Sequence, residues 1–148
     1  MGKSSTMSDS VTEELLQLNR QLLDSIAQAD WVTYKRLSDP SLTAFEPEAL
    51  GHLVVGLEFH HFYFKLRGVK GESYTTMIAP QVRIIGDVAV VAYVRLNQQV
   101  NANGVPTTTR FEETRVWQRQ DGHWRQVHFH RSRDQGSGVE KNQTPLTV

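Results

Sequence analysis

The stretch FEETRVWQRQDGHWRQVHFHR, Phe111–Arg131, decides the fold class of this 148-residue chain. Apolar and polar side chains alternate on both sides of Gln120-Asp121-Gly122, which is typical of two β-strands joined by a tight turn. A glycine in the third place suits a three-residue hairpin loop in which Gly122 is left-handed. We therefore predict two antiparallel strands, over residues 106–120 and 123–131.

A three-residue loop would place Arg119 opposite His123 and Arg115 opposite Val127. Directly opposed residues share a face of the sheet. A two-residue loop would shift the register by one residue and send Arg115 and Arg131 to different faces. With the three-residue loop, one face carries a mixture of large apolar and charged side chains: Phe111, Glu113, Arg115, Trp117, Val127, Phe129 and Arg131.

The alternation continues upstream and predicts two more strands, over residues 74–85 and 88–100. Gly86-Asp87 between them is a two-residue hairpin signal that pairs Ile85 with Val88. This register places Arg95, another isolated charge, on a face with Ile78, Val82, Val91 and Tyr93. We expect the four strands to pair in sequence order in an antiparallel sheet.

The N-terminal half is helical instead. The sequence from Ser10 to Glu13 resembles a capping box, and leucines at helical spacing follow it to about residue 29. Asp30 can cap a second short helix that Asp39-Pro40 ends, and residues 57–66 predict a third helix. Helices followed by a meander of strands indicate an α+β fold. We expect one domain over residues 11–132, with disordered segments at 1–10 and 133–148.

Composition limits the possible partners and cofactors. Sixteen basic residues balance sixteen acidic ones, so no overall field attracts nucleic acid or an anionic membrane. Cysteine is absent, which excludes thiol chemistry and suits a cytoplasmic location. His128 and His130 share a strand face, but no third metal ligand follows at a suitable spacing. We expect neither a metal nor another cofactor.

The arginines among apolar neighbours need carboxylate partners, since burying an unpaired charge is costly. Two interpretations remain open from the residues alone. Each arginine can pair with a nearby glutamate (Glu46, Glu58, Glu112 or Glu113), which is the commoner arrangement, or the guanidinium groups can line a pocket that holds a carboxylate ligand.

Several blocks of sequence, in order, resemble the association (hub) domain of calcium/calmodulin-dependent protein kinase II. The blocks are Thr43–Gly51, Gly56–His60, Phe62–Phe64, Glu112–Trp117, Arg119–Gly122 and Val127–Ser132. The resemblance covers about residues 13–132. It implies a nuclear transport factor 2-like cone, in which a curved antiparallel sheet holds a long N-terminal helix. It also implies dimers that assemble into two-layered rings of twelve or fourteen copies, and kinase subunits with the same domain as possible partners.

The resemblance further implies a pocket that accepts small carboxylates or a neighbouring peptide segment. Its lining would comprise Arg95, Arg115 and Arg131, with His60, Tyr34, Tyr63 and Glu46 in or near it. This favours an anion site over separate ion pairs. These 148 residues contain neither a kinase domain nor a calmodulin-binding segment, so we expect a non-catalytic homo-oligomerisation domain. The alternatives are an isomerase- or dehydratase-type enzyme, with His60 and Glu46 as the acid–base pair, and a ligand sensor that uses the same pocket.

Overall fold

The computed structural model describes residues 7–66 and 72–133. Segments 1–6 and 134–148 lie outside it, as does the loop predicted at 68–71. The helices are α1 (Met7–Ala27), α2 (Trp31–Arg36) and α3 (Glu58–Leu66), and Pro47–Ala49 form a 3-10 turn. The strands are β1 (Ser38–Phe45), β2 (Val54–Val55), β3 (Ser73–Ile85), β4 (Val88–Val100), β5 (Pro106–Gln120) and β6 (His123–Arg133). The predicted α+β class is confirmed, and the four long strands begin and end within two residues of their predicted bounds.

All six strands form one curved sheet in the order β2-β1-β6-β5-β4-β3. The expectation of a purely antiparallel sheet is wrong for β1, which runs parallel to β6. β1 also contains Asp39-Pro40, which we predicted only as the end of a helix. The β1–β6 ladder is interrupted between Ser38 and Thr43. Proline, which lacks an N–H donor, is tolerated in such an interruption.

Helix α1 packs against one face of β3–β6, which we call the inner face; the opposite one is the outer face. Leu15, Leu22 and Ile26 of α1 are buried in the core. Asn19 accepts a hydrogen bond of 3.1 Å from the Trp117 indole of β5, which ties the helix to the middle of the sheet.

Two predictions about helix starts have different outcomes. Helix α1 begins at Met7, so Ser10 is not its cap, and residues 7–10 of the segment expected to be disordered are helical. Asp30 caps α2 as predicted, because its carboxylate accepts bonds from the Thr33 amide and hydroxyl. None of the helices in the described part of the chain combines enough length with enough apolar character to span a bilayer.

The β5–β6 hairpin corrects the predicted register twice. Its loop has two residues, Asp121 and Gly122, both with positive φ, so the three-residue loop was wrong. The register then shifts at Val127, because Trp117 pairs with Gln126 while Val116 pairs with His128. The extra residue is a β-bulge that reverses which side chains point inward.

As a result of the bulge, Arg115 lies opposite Phe129, and not opposite Val127, while Glu113 lies opposite Arg131. The short loop and the bulge compensate for each other, so Arg115 and Arg131 remain on one face.

The β3–β4 hairpin contains a similar correction. Ile85 pairs with Val88 as predicted, but the register shifts between Ile78 and Gln81, where Ala79 has a φ of 49°. Met77 therefore lies opposite Arg95. Ile78, predicted to share the face of Arg95, is instead 41% exposed.

Candidate functional site

Three arginine side chains meet on the inner face of the sheet. Arg95 lies on β4, Arg115 on β5 and Arg131 on β6, and their exposed fractions are 2%, 0% and 1%. Strand pairing brings them to one face. Arg95 lies opposite Phe111 and Arg131 lies opposite Glu113, and both of these β5 residues share a face with Arg115. The rings of Phe111 and Phe129 stack beneath the guanidinium groups of Arg131 and Arg115, at 4.6 and 4.3 Å respectively.

Glu113 is the common partner of two of these arginines. Its carboxylate accepts hydrogen bonds from Arg95 Nη1 at 2.8 Å, Arg115 Nη2 at 3.0 Å and the Tyr93 hydroxyl at 2.5 Å. Burial raises the pKa of Glu113, but the Arg115 and Arg95 charges outweigh burial and hold that pKa at about 2. The group is therefore a carboxylate at neutral pH, and it neutralises half of the charge of its two arginines.

A polar chain leads from Arg115 to α2. Arg115 Nη1 donates to Gln126 Oε1 at 2.7 Å, and Gln126 Nε2 donates to the Ser38 hydroxyl at 2.8 Å. Ser38 in turn donates to the backbone carbonyl of Tyr34 at 2.7 Å. Burial raises the pKa of Tyr34 to about 12. Sequence reasoning missed Gln126 and Ser38. The three-residue loop that we predicted turned Gln126 outward, whereas the two-residue loop places it opposite Trp117 on the inner face.

Arg131 contacts two carboxylates through a single nitrogen. Its Nη2 donates to Glu46 Oε2 at 3.3 Å and to Glu48 Oε1 at 2.5 Å. Its Nε and Nη1 are buried and have no hydrogen-bond partner among the described residues. Glu48 was not predicted as a site residue. The signal that could have found it is its position, two residues after Glu46 in the Pro47–Ala49 turn.

His60 of α3 closes the cluster. Its Nδ1 lies 3.4 Å from Glu46 Oε1, and neither atom has a hydrogen-bond partner among the described residues. Burial, reinforced by the Arg115 and Arg131 charges, lowers the pKa of His60 to about 3, so the ring is neutral. Burial raises the pKa of Glu46 to about 7 against the opposing effect of Arg131. Glu46 therefore exchanges its proton near neutral pH.

The two predicted tyrosines lie at the margin of this cluster. The Tyr34 ring centroid is 6.0 Å from that of His60. Tyr63 is partly exposed, and burial together with the charges of Glu48 and Glu46 raises its pKa. The fold thus brings the seven predicted site residues to one region, and Glu48, Glu113 and Gln126 join them.

The arginines have carboxylate partners, as the simpler interpretation of the spacing required. Two cavities lie elsewhere: one of about 500 Å³ on the outer face beside Ala92, Thr114 and His130, and one of about 340 Å³ between Leu18 and Trp124. None of the three arginines lines either cavity. Three guanidinium groups face Glu113, Glu48 and the titrating Glu46, so the cluster carries a net positive charge whenever Glu46 is protonated.

His128 and His130 occupy the outer face. The Thr43 hydroxyl lies 2.7 Å from His128 Nδ1, and burial together with His130 lowers the pKa of His128. Within residues 7–66 and 72–133, no group of three or more potential ligands is arranged to hold a metal ion.

Comparison with known proteins relates this geometry to a family. The family model described as the calcium/calmodulin dependent protein kinase II association domain matches residues 11–135. The delta subunit of that kinase from Oryctolagus cuniculus is 46% identical over 123 residues, which are 81% of this chain and 23% of that protein. This chain therefore corresponds to about a quarter of its relative.

Solved structures agree with the family model. The structure of the association domain of the C. elegans kinase is 47% identical, with a TM-score of 0.79, over 83% of this chain and 95% of that chain. A nuclear transport factor 2-like protein from Salmonella enterica has a TM-score of 0.73 at 24% identity, over 92% of this chain and 99% of that chain. The second match shows the nuclear transport factor 2-like fold alone.

Proposed function

Because this chain belongs to the calcium/calmodulin-dependent protein kinase II association-domain family, we propose that it assembles copies of itself into a closed two-layered ring of twelve or fourteen subunits. Family membership is the observation that carries this proposal. The surface supports it: the described residues leave several large apolar side chains more than 60% exposed, and such groups favour contact with other chains. They are Met7, Val32, Leu50, Val55, Leu66, Tyr74 and Ile85.

Native mass spectrometry at micromolar chain concentration tests the assembly. Twelve copies of the 16.9 kDa chain give about 203 kDa, and fourteen give about 237 kDa. A population that stays at the mass of one or two chains contradicts the proposal.

Subunits of a kinase that carry the same domain are the proposed partners, and the cytoplasm is the proposed location. The test is co-expression of this chain with a full-length kinase of the family that carries an affinity tag. Mixed rings purify through the tag, whereas separate rings leave this chain in the unbound fraction.

The arginine cluster is the second part of the proposal, as a site for a small carboxylate. Arg131 supports it, because its buried Nε and Nη1 donors have no partner among the described residues. Each of them can form, with Nη2, the pair of parallel N–H donors that binds a carboxylate. Arg115 and Arg95 add positive charge nearby in a region of low solvent access. The neutral ring of His60 and the hydroxyl of Tyr63 are further groups that a ligand could meet.

Calorimetric titration with benzoate and with butanoate tests the site. Arg131→Lys keeps the charge but loses the planar pair of donors, so we expect the affinity to fall about tenfold or more. The methyl ester of each ligand has nearly the same shape without the charge and serves as the control. Equal binding of acid and ester, or equal binding by a folded Arg131→Lys variant, would show that the guanidinium group does not hold the carboxylate.

An enzyme of the isomerase or dehydratase type is the second candidate. It is favoured by one observation: Glu46, with a pKa of about 7, lies beside the neutral imidazole of His60. Two neighbouring groups whose pKa values are driven apart can act as base and acid. The test is exchange of α-protons of small ketones in D2O, followed by NMR, with Glu46→Gln as the control. Exchange that Glu46→Gln abolishes supports an enzyme, and exchange no faster than buffer removes this candidate.

A further inference from the structure

We propose that Glu48 is an internal carboxylate that occupies the Arg131 site and must leave when a small carboxylate ligand binds. This inference rests on the carboxylate-binding function proposed above and adds a competitor to it. The competitor is part of the chain, so it sets how tightly the site can hold any ligand.

The contact between Glu48 and Arg131 resembles a ligand contact but is incomplete. Glu48 uses one oxygen, Oε1, on Arg131 Nη2, and its other oxygen is buried without a hydrogen-bond partner among the described residues. The same Nη2 also donates to Glu46, while Nε and Nη1 donate to neither glutamate. A free carboxylate can engage two nitrogens of Arg131 at once, which Glu48 does not. The ligand thus has a geometric advantage over the internal group.

Glu46 and Glu48 differ in how easily they can leave. The Glu46 side chain is 0% exposed and follows directly on β1, whereas the Glu48 side chain is 7% exposed and lies in the Pro47–Ala49 turn. This turn is held by hydrogen bonds between residues close in sequence, such as that from the Leu50 amide to the Pro47 carbonyl at 3.2 Å. Leu50 itself is 86% exposed.

The backbone after the turn is left-handed at Leu50 and Gly51, with φ of 54° and 89°. A Cβ built on Gly51 meets nothing within 4 Å, so the turn borders open space. Rotation there would carry Glu48 into water without altering the strands. Glu46 lacks this freedom, so Glu48 is the group that gives way.

The charges are consistent with an exchange. A carboxylate ligand would replace Glu48 beside Arg131, so the number of negative charges at the cluster would not change. Glu48 would regain full hydration outside. The binding-competent form, with Glu48 outside, is a minor one. The apparent affinity of wild type is therefore the intrinsic affinity of the site multiplied by the fraction of protein in that form.

The experiment compares wild type with Glu48→Gln by calorimetric titration with benzoate and with butanoate. A glutamine side chain keeps the size but not the charge, so it competes poorly for Arg131. If the competent form is populated at 10% or less, a common range for minor states, we expect binding to tighten by about tenfold or more. Glu112→Gln, an exposed glutamate on the outer face, is the matched control and should bind like wild type.

The outcomes separate this inference from the proposed site. If wild type binds the ligand and folded Glu48→Gln binds it with equal or lower affinity, the role of Glu48 is overturned and the carboxylate site stands. Absence of binding to either protein overturns both.

A second measurement needs no variant at all. In wild type saturated with benzoate, hydrogen exchange at the amides of Ala49, Leu50 and His52 should accelerate as the turn is released. Unchanged or slower exchange at these amides with benzoate bound contradicts release of Glu48.

Discussion

Replacement of Glu113 by glutamine tests the energetic centre of the inner face. The substitution keeps the shape of the side chain but removes the negative charge that Arg95 and Arg115 share. Both guanidinium groups remain buried, and neither can reach water without disrupting the sheet. The variant therefore measures how much folding stability is lost when the two buried guanidinium groups no longer share a carboxylate.

The loss of stability can be calculated in two ways. A pKa of about 2 instead of the usual 4.5 means that the folded protein stabilises charged Glu113 by about 3 kcal/mol. Removal of one partner from a buried ion pair costs about 3–5 kcal/mol in other proteins. We therefore expect the free energy of unfolding to fall by at least about 3 kcal/mol.

Urea unfolding followed by tryptophan fluorescence, at one fixed protein concentration because assembly stabilises the fold, is the assay. With a slope of about 2 kcal/mol per molar urea, the midpoint should fall by about 1.5 M or more. Glu112→Gln, on the adjacent residue but exposed on the outer face, should shift the midpoint by less than about 0.3 M, since surface substitutions change stability by about 0.5 kcal/mol or less.

The same variant has a defined pH dependence. Because the folded pKa of Glu113 is depressed, its stabilising effect is complete above about pH 4.5 and is lost as the pH falls towards 2. The difference between wild type and Glu113→Gln should therefore be constant from pH 5 to 8 and shrink below that range. A loss under 1 kcal/mol at pH 7, or a difference that grows in acid, would refute the shared-carboxylate account.

Three further changes probe other parts of the molecule. Asn19→Ala leaves the buried Trp117 indole N–H without its acceptor, and denaturant unfolding should show a loss of about 1–3 kcal/mol. Glu46→Gln mimics the protonated acid. Because the folded pKa of Glu46 is raised to about 7, wild type loses stability as the pH rises from 4.5 to 7. In the same assay the stability of the variant relative to wild type should therefore increase by up to roughly 3 kcal/mol between pH 5 and pH 8. Deletion of Val127 removes the bulge but leaves Trp117 opposite Gln126 and Val116 opposite His128, so Arg131 stays on the inner face, and circular dichroism and light scattering should report a folded, unaggregated chain.

The sequence was sufficient to predict the strands because their alternation is strong. The turns at Gly86-Asp87 and Asp121-Gly122 also mark where each hairpin reverses. The bulge at Val127 was not predictable, because it changes the phase of the pattern without adding a glycine or proline. The bulge at Ala79 adjoins Pro80, and a proline inside a strand is a bulge signal that our prediction did not use. Arg115 and Arg131 were placed on one face from an incorrect register, since the two-residue loop and the bulge at Val127 compensate for each other.

The candidate site was only partly visible for a related reason. Arg95 and Arg115 stood out as charges in apolar strands, and Glu113 was one of four possible partners. Gln126 and Glu48 gave no such signal. Gln126 faces Arg115 because the hairpin loop has two residues and not three, and Glu48 reaches Arg131 because β1 runs parallel to β6 and brings the Pro47–Ala49 turn beside it. Long-range pairing of this kind is decided by the folded topology and not by local pattern.

Electron microscopy of the purified chain tests the central claim, that this domain closes copies of itself into a ring. Averaged particle images viewed down the axis should show a closed ring with six or seven equal densities around a central opening, and side views should show two layers. Open filaments, irregular clusters, or particles no larger than a dimer would contradict the account.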